Sequence, residues 1–167
     1  MGKIAIHITD VLMLIVLLFG TSKYWTWKLR KGYNIENKNI SYSIFVSLQF
    51  LTMAMMTFLS ADAQNSSYIE SLSLIGNGAG ECWSYIGVNI FGLVFLMMIA
   101  NIVGHLMYAI TMKAELSFYE EIMENNIAPV ILCGILILLL GTALSIYILK
   151  PYLLGWISTN SNMIPLI

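Results

Sequence analysis

Four apolar runs, each long enough to cross a lipid bilayer, constrain this chain more than any other feature. They extend from about Ile4 to Trp27, Ile40 to Ala61, Cys82 to Thr111 and Ile127 to Leu149. The last holds 23 residues; as a helix it would reach about 34 Å, against a hydrocarbon core of about 30 Å. Charged residues make up only 10% of the 167 and hydrophobic residues 59%, where a soluble domain carries roughly 25% charged residues. A surface that apolar must face lipid. The expected fold is an all-α integral membrane protein with four transmembrane helices in a single domain, an outer loop over 62–81 and a C-terminal tail over 150–167. The net charge of −1 excludes a strongly basic nucleic-acid binder.

The first run reads as a retained span, not a cleaved leader. Only Lys3 precedes it, Asp10 interrupts it, and no small-residue cleavage site follows. Tyr24, Trp25 and Trp27, then Lys28, Arg30 and Lys31, come instead, the aromatic and basic signature of a membrane interface. The loop after span one carries Lys23, Lys28, Arg30, Lys31 and Lys38, and the loop after span three carries Lys113. The loop after span two has no base, and Lys3 and Lys150 mark the two ends. Six bases against two place both termini outside the cytoplasm.

An offset of 87 relates the two halves. Asn39-Ile40-Ser41-Tyr42-Ser43-Ile44 aligns with Asn126-Ile127-Ala128-Pro129-Val130-Ile131, Ile35 with Ile122, Leu51 with Leu138 and Val16 with Val103. Ser47 and Ala54 fall on Gly134 and Gly141. Ser43, Ser47, Ala54 and Ala61 form one helical stripe, and Gly134, Gly141 and Ser145 another. Small stripes let helix backbones approach closely in lipid, so these are the expected packing faces. Two spans per copy make the repeats parallel, repeat one over about 5–61 and repeat two over about 82–149, with residues 8–61 expected to superpose on 95–148.

The run Leu116-Ser117-Phe118-Tyr119-Glu120-Glu121-Ile122, then Asn125-Asn126-Ile127-Ala128, then the Gly134/Gly141 helix, resembles the second half of the YjfL-type inner-membrane proteins, the bacterial domain-of-unknown-function 350 family. That family's pattern is an acidic stretch, a G/N-N-x-A step and a small-residue helix, given twice over four spans. The resemblance covers about residues 8 to 150. The first copy departs from the pattern: Ser41 replaces the small Ala, and Gln49 and methionines crowd the span. The resemblance implies a bacterial inner (cytoplasmic) membrane location, no established activity, and a connection with envelope stress or defence.

Few residues could carry chemistry. An ionised Asp10 at mid-bilayer would cost about 2.5–3.5 kcal/mol, so it reads as a carboxylate near the outer interface in preference to an ion or proton site. Asn101, His105 and Tyr108 share one face of span three at i, i+4 and i+7. They read as hydrogen-bonded glue between helices, with a pore lining or polar relay as the alternative. His7 and Asn89 are expected to meet headgroups. Glu120 and Glu124, at i and i+4 beside Glu121, read as a solvated helix face in preference to a cation site. Asn39 and Asn126 are the expected N-caps of spans two and four, with Pro129 in a first turn. The eleven methionines read as flexible filling. Cys82 and Cys133 lie near opposite faces and have no metal-ligand spacing.

No motif for hydrolysis, phosphate binding or metal ligation is present. The expectation is therefore a non-enzymatic, homo-oligomeric membrane scaffold or partner subunit, without cofactor, in contact with the lipid bilayer and possible cytoplasmic or membrane protein partners. The alternative is an ion-conducting channel built by the same oligomer around a ring of Asn101 and His105.

Overall fold

The computed structural model describes residues 2–31, 39–74, 79–112 and 117–161, with side chains over 11–31, 39–60, 87–111 and 117–155. Every regular element among them is helical: α1 (Gly2–Thr26), α2 (Ile40–Leu74), α3 (Ala79–Met112), α4 (Phe118–Met123), α5 (Ile127–Leu144) and α6 (Lys150–Ser161). A helix closes its backbone hydrogen bonds within itself, which lipid demands of any spanning segment. Three segments are long and apolar enough to cross a membrane: Ile40–Ser60, Gly87–Thr111 and Ile127–Gly155. These fit a multi-pass membrane protein. The side chains of His7, Asp10 and Cys82, and those of Lys3, Lys38 and Lys113, lie outside the described residues.

Two expected boundaries differ. The expected outer loop is helical over 62–74 and 79–81, with residues 75–78 outside the described set. The last span does not stop at Leu149: five residues of π-helix, Ser145–Leu149, carry it into α6. Pro151 explains the widened turn. Its ring lacks an N–H and crowds the carbonyl four residues before it, and the Lys150 N–H reaches back to the Ser145 carbonyl, five residues away. A π-turn absorbs such a mismatch without ending the helix.

The helices alternate in direction. Near the basic end of α1, Trp25 meets Phe45 edge-on with ring centroids 4.8 Å apart, so α1 and α2 are antiparallel. Asn101 of α3 bonds Gln49 of α2, while Gly104 abuts Ile137 and Gly92 abuts Leu149, so α3 runs against both α2 and α5. Consequently α2 and α5 run parallel, side by side, at the centre of the bundle. Leu48 packs into the hollow at Gly134; Thr52 and Met56 pack at Gly141, where a Cβ would stand 2.8 Å from Thr52 Cγ2 and 3.0 Å from Met56 Sδ.

This contact corrects one expected packing face. Gly134, Gly141 and Ser145 are buried, but Ser47 is exposed and Ala54 only half-buried. Two small faces could have met here at close range. Instead, α2 turns its larger side chains into the glycine hollows of α5, one helical step round from the Ser47 stripe. Asn89 is also corrected: its side chain is fully buried within the bundle, with its amide 3.9 Å from Met13 Sδ.

Candidate functional site

The polar chemistry of the bundle gathers at its basic end and just below it. Asn39 caps α2, its Oδ1 accepting from the Tyr42 N–H at 2.7 Å, and its amide nitrogen donates across the bundle to the Ile122 carbonyl. Asn126 stands at the N-cap position of α5, yet its side chain caps nothing there; it donates to Glu121 Oε2 at 2.7 Å. The expected capping role of Asn126 is therefore replaced by an amide–carboxylate bond that satisfies the buried Glu121. The neighbouring Asn125 caps the other helix: its Oδ1 accepts from the Ser41 N–H of α2 at 3.0 Å. Asn125 has φ 59°, a left-handed conformation that Asn tolerates better than most residues. The starts of α2 and α5 are thus tied to each other.

The first carboxylate of the acidic run caps its own helix. Glu120 closes a capping box with Ser117: its Oε2 accepts from the Ser117 N–H at 2.6 Å, and the Ser117 hydroxyl accepts from the Glu120 N–H at 3.3 Å. The backbone bond from Ser117, then that from its hydroxyl, holds the Glu120 carboxyl below its ordinary 4.5. Among the described residues no three His, Cys, Asp or Glu side chains cluster to hold a metal.

One turn deeper lies a polar rung. Asn101 donates to Gln49 Oε1 at 3.1 Å and to the Met97 carbonyl at 2.9 Å. His105 Nδ1 lies 2.6 Å from the Asn101 carbonyl. A carbonyl only accepts, so Nδ1 carries the proton in this bond. The His105 Nε2 is buried without a partner, as are Gln49 Nε2, Asn101 Oδ1 and the Tyr108 hydroxyl. Tyr108 and His105 pack against Phe118 at 5.5 and 4.7 Å between centroids.

Asn101 and His105 also line a cleft of about 540 Å³ between α1 and α3, floored by Met53 of α2. Its basic mouth is built from Lys28, Tyr24, Tyr119 and His105. The Lys28 ammonium sits 5.0 Å from the Tyr119 ring centre and 5.1 Å from that of Trp25, and the Tyr119 ring stacks on His105 at 5.7 Å.

Asn101 and His105 thus come together with Gln49, Tyr108 joins them only through the Phe118 ring, and Gly134, Gly141 and Ser145 belong to the α5 core. The sequence pattern gave no site role to Gln49 or Asn125. Gln49 carried a signal, since an amide in mid-span demands a partner; Asn125 carried a weaker one, as the first of two asparagines between helical segments. No family model, curated protein or solved structure matches the chain.

Proposed function

We propose that this chain is a non-enzymatic subunit of a homo-oligomeric assembly in a bacterial inner membrane. In this reading α1 is the fourth span, the two hairpins are tandem parallel repeats, and both termini are extracytoplasmic. The observation that carries the reading is the outward face of α2. Ile40, Ser43, Ser47, Leu51, Met55 and Phe58 form one exposed ridge, and its half nearest the basic end is small and polar. The Ser43 hydroxyl donates to the Asn39 carbonyl of its own helix at 3.2 Å, and lipid offers the exposed Ser47 hydroxyl no partner, whereas a second helix gains close backbone contact there. The stripe is unused within the subunit, because α5 packs on the adjacent face at Leu48 and Thr52. The bonds tying Asn39 to Ile122 and Asn125 to Ser41 join the two hairpins into one unit fit to act as a scaffold.

A channel formed around a ring of Asn101 and His105 draws less support, since Asn101 bonds Gln49 of its own chain. In-membrane cross-linking tests the assembly. With Cys82 and Cys133 replaced by alanine, Ser47→Cys should give a disulfide-linked dimer, and Ile110→Cys, on the exposed face of α3, should not. A Ser47→Cys chain that stays uncross-linked under oxidant would overturn the reading.

A further inference from the structure

We infer that the cleft between α1 and α3 holds an anionic phospholipid, one acyl chain along its apolar wall and the phosphate at Lys28. The inference rests on α1 being a span, but not on the contact proposed for Ser47, which lies on a different face of α2 from Met53.

The depth of the cleft supports an acyl chain. One wall runs from Val16 of α1 to Lys28 in the π-helical turn that follows it, Trp27–Lys31, and the twelve steps between those positions rise about 18 Å. Half of a hydrocarbon core measures about 15 Å, so the cleft runs from mid-membrane to one headgroup layer. Its wall is apolar along that course: Val16, Leu17 and Gly20 face Val94, Met98 and Ile102. Nothing lies within 4 Å of a Cβ built on Gly20, so the space is open there.

The mouth supports the anionic headgroup. Among the described residues no carboxylate pairs with Lys28; its ammonium lies over the Tyr24, Trp25 and Tyr119 rings, 5.7, 5.1 and 5.0 Å from their centres. Lys23, Arg30 and Lys31 stand at the same end of α1. A basic pocket between spans at this depth is complementary to a lipid phosphate. His105 lies in the same mouth, its Nε2 buried without a partner. A lipid phosphate at this mouth accepts from the Lys28 ammonium.

The test uses the full chain in nanodiscs of phosphatidylglycerol and phosphatidylcholine, extracted gently and weighed by native mass spectrometry. Wild type should retain phosphatidylglycerol in preference to phosphatidylcholine. Lys28→Gln should lower that preference about fivefold, the effect of one basic group at an anionic surface. Gly20→Phe should fill the cleft and abolish retention while leaving Ser47→Cys cross-linking intact. Equal retention of the two lipids by wild type, or undiminished retention by Gly20→Phe, would overturn the proposal. So would cross-linking of chains through Gly20→Cys, which would give the cleft to a second copy.

Discussion

Replacing Gly104 by alanine adds a single methyl group where α3 crosses α5. Its Cβ would stand 2.5 Å from Ile137 Cγ1 and 3.4 Å from the Ile137 Cα and N. Carbon atoms pack best at about 3.5–4.0 Å, so the nearest contact is short by about 1 Å. Ile137 has little room to yield. It is fully buried, and a β-branched side chain on a helix has one strongly preferred rotamer. Either Ile137 leaves that rotamer, at about 0.5–1.5 kcal/mol, or the two helices part and lose contacts along the crossing. Overpacking of this kind costs about 1–3 kcal/mol, offset by up to about 1 kcal/mol of helix propensity gained over glycine. The expected net loss is about 0.5–2 kcal/mol, read from reversible unfolding by dodecyl sulfate in mixed micelles. Gly87→Ala, where nothing lies within 4 Å, is the control and should lose nothing. Ile137→Ala alone opens a cavity at about 2–5 kcal/mol, and in the double variant the Gly104 methyl partly refills it. The double variant should therefore be more stable than the two single losses predict. A Gly104→Ala chain as stable as wild type, or strictly additive losses, would refute the close approach.

Asn125→Gly keeps the left-handed backbone but removes the bond to the Ser41 N–H, so it should destabilise by about 1 kcal/mol; unchanged unfolding would show that the bond contributes nothing. Gln49→Leu should cost only about 0.6 kcal/mol, the average for a hydrogen bond between membrane helices, and a collapse of folding would mark Gln49 as more than glue. Glu120 titrates below its ordinary 4.5, and a depressed folded value means that its capping contribution is complete above that pH. The contribution is lost as pH falls through the lower folded value; a Glu120 carboxyl shift in NMR with its midpoint at or above 4.5 would contradict the capping box. Reporter fusions after Ile167 should be active only outside the cytoplasm, and cytoplasmic activity would reverse the assigned orientation.

The helical class and the apolar segments were legible because hydrophobic length alone reports them. Their ends were not. Asp62, Gln64, Asn65 and Ser66 read as a loop in a polar stretch, yet α2 continues to Leu74, because a helix already nucleated adds residues readily. Pro151 read as the edge of a tail, and a π-turn carried the helix past it. Periodicity grouped Ser43, Ser47 and Ala54 on one stripe without saying which stripe meets α5. That choice lies with Leu48, Thr52 and Met56, whose bulk fills the hollows of Gly134 and Gly141. The Asn39 cap is local, so spacing found it. Asn125 caps a helix 84 positions away in sequence, a pairing that no local pattern carries. The cleft belongs to the same class: its two walls are not adjacent in the chain, and only the packed bundle brings Lys28 to His105.

The central claim is self-association through the outward face of α2, and the mass of the purified particle in nanodiscs tests it most directly. Light scattering should give a protein mass at least twice the 18.7 kDa of one chain, and Ser47→Leu, a change on an exposed position, should return it to one chain with the helical content preserved. A wild-type particle of a single chain would contradict the account.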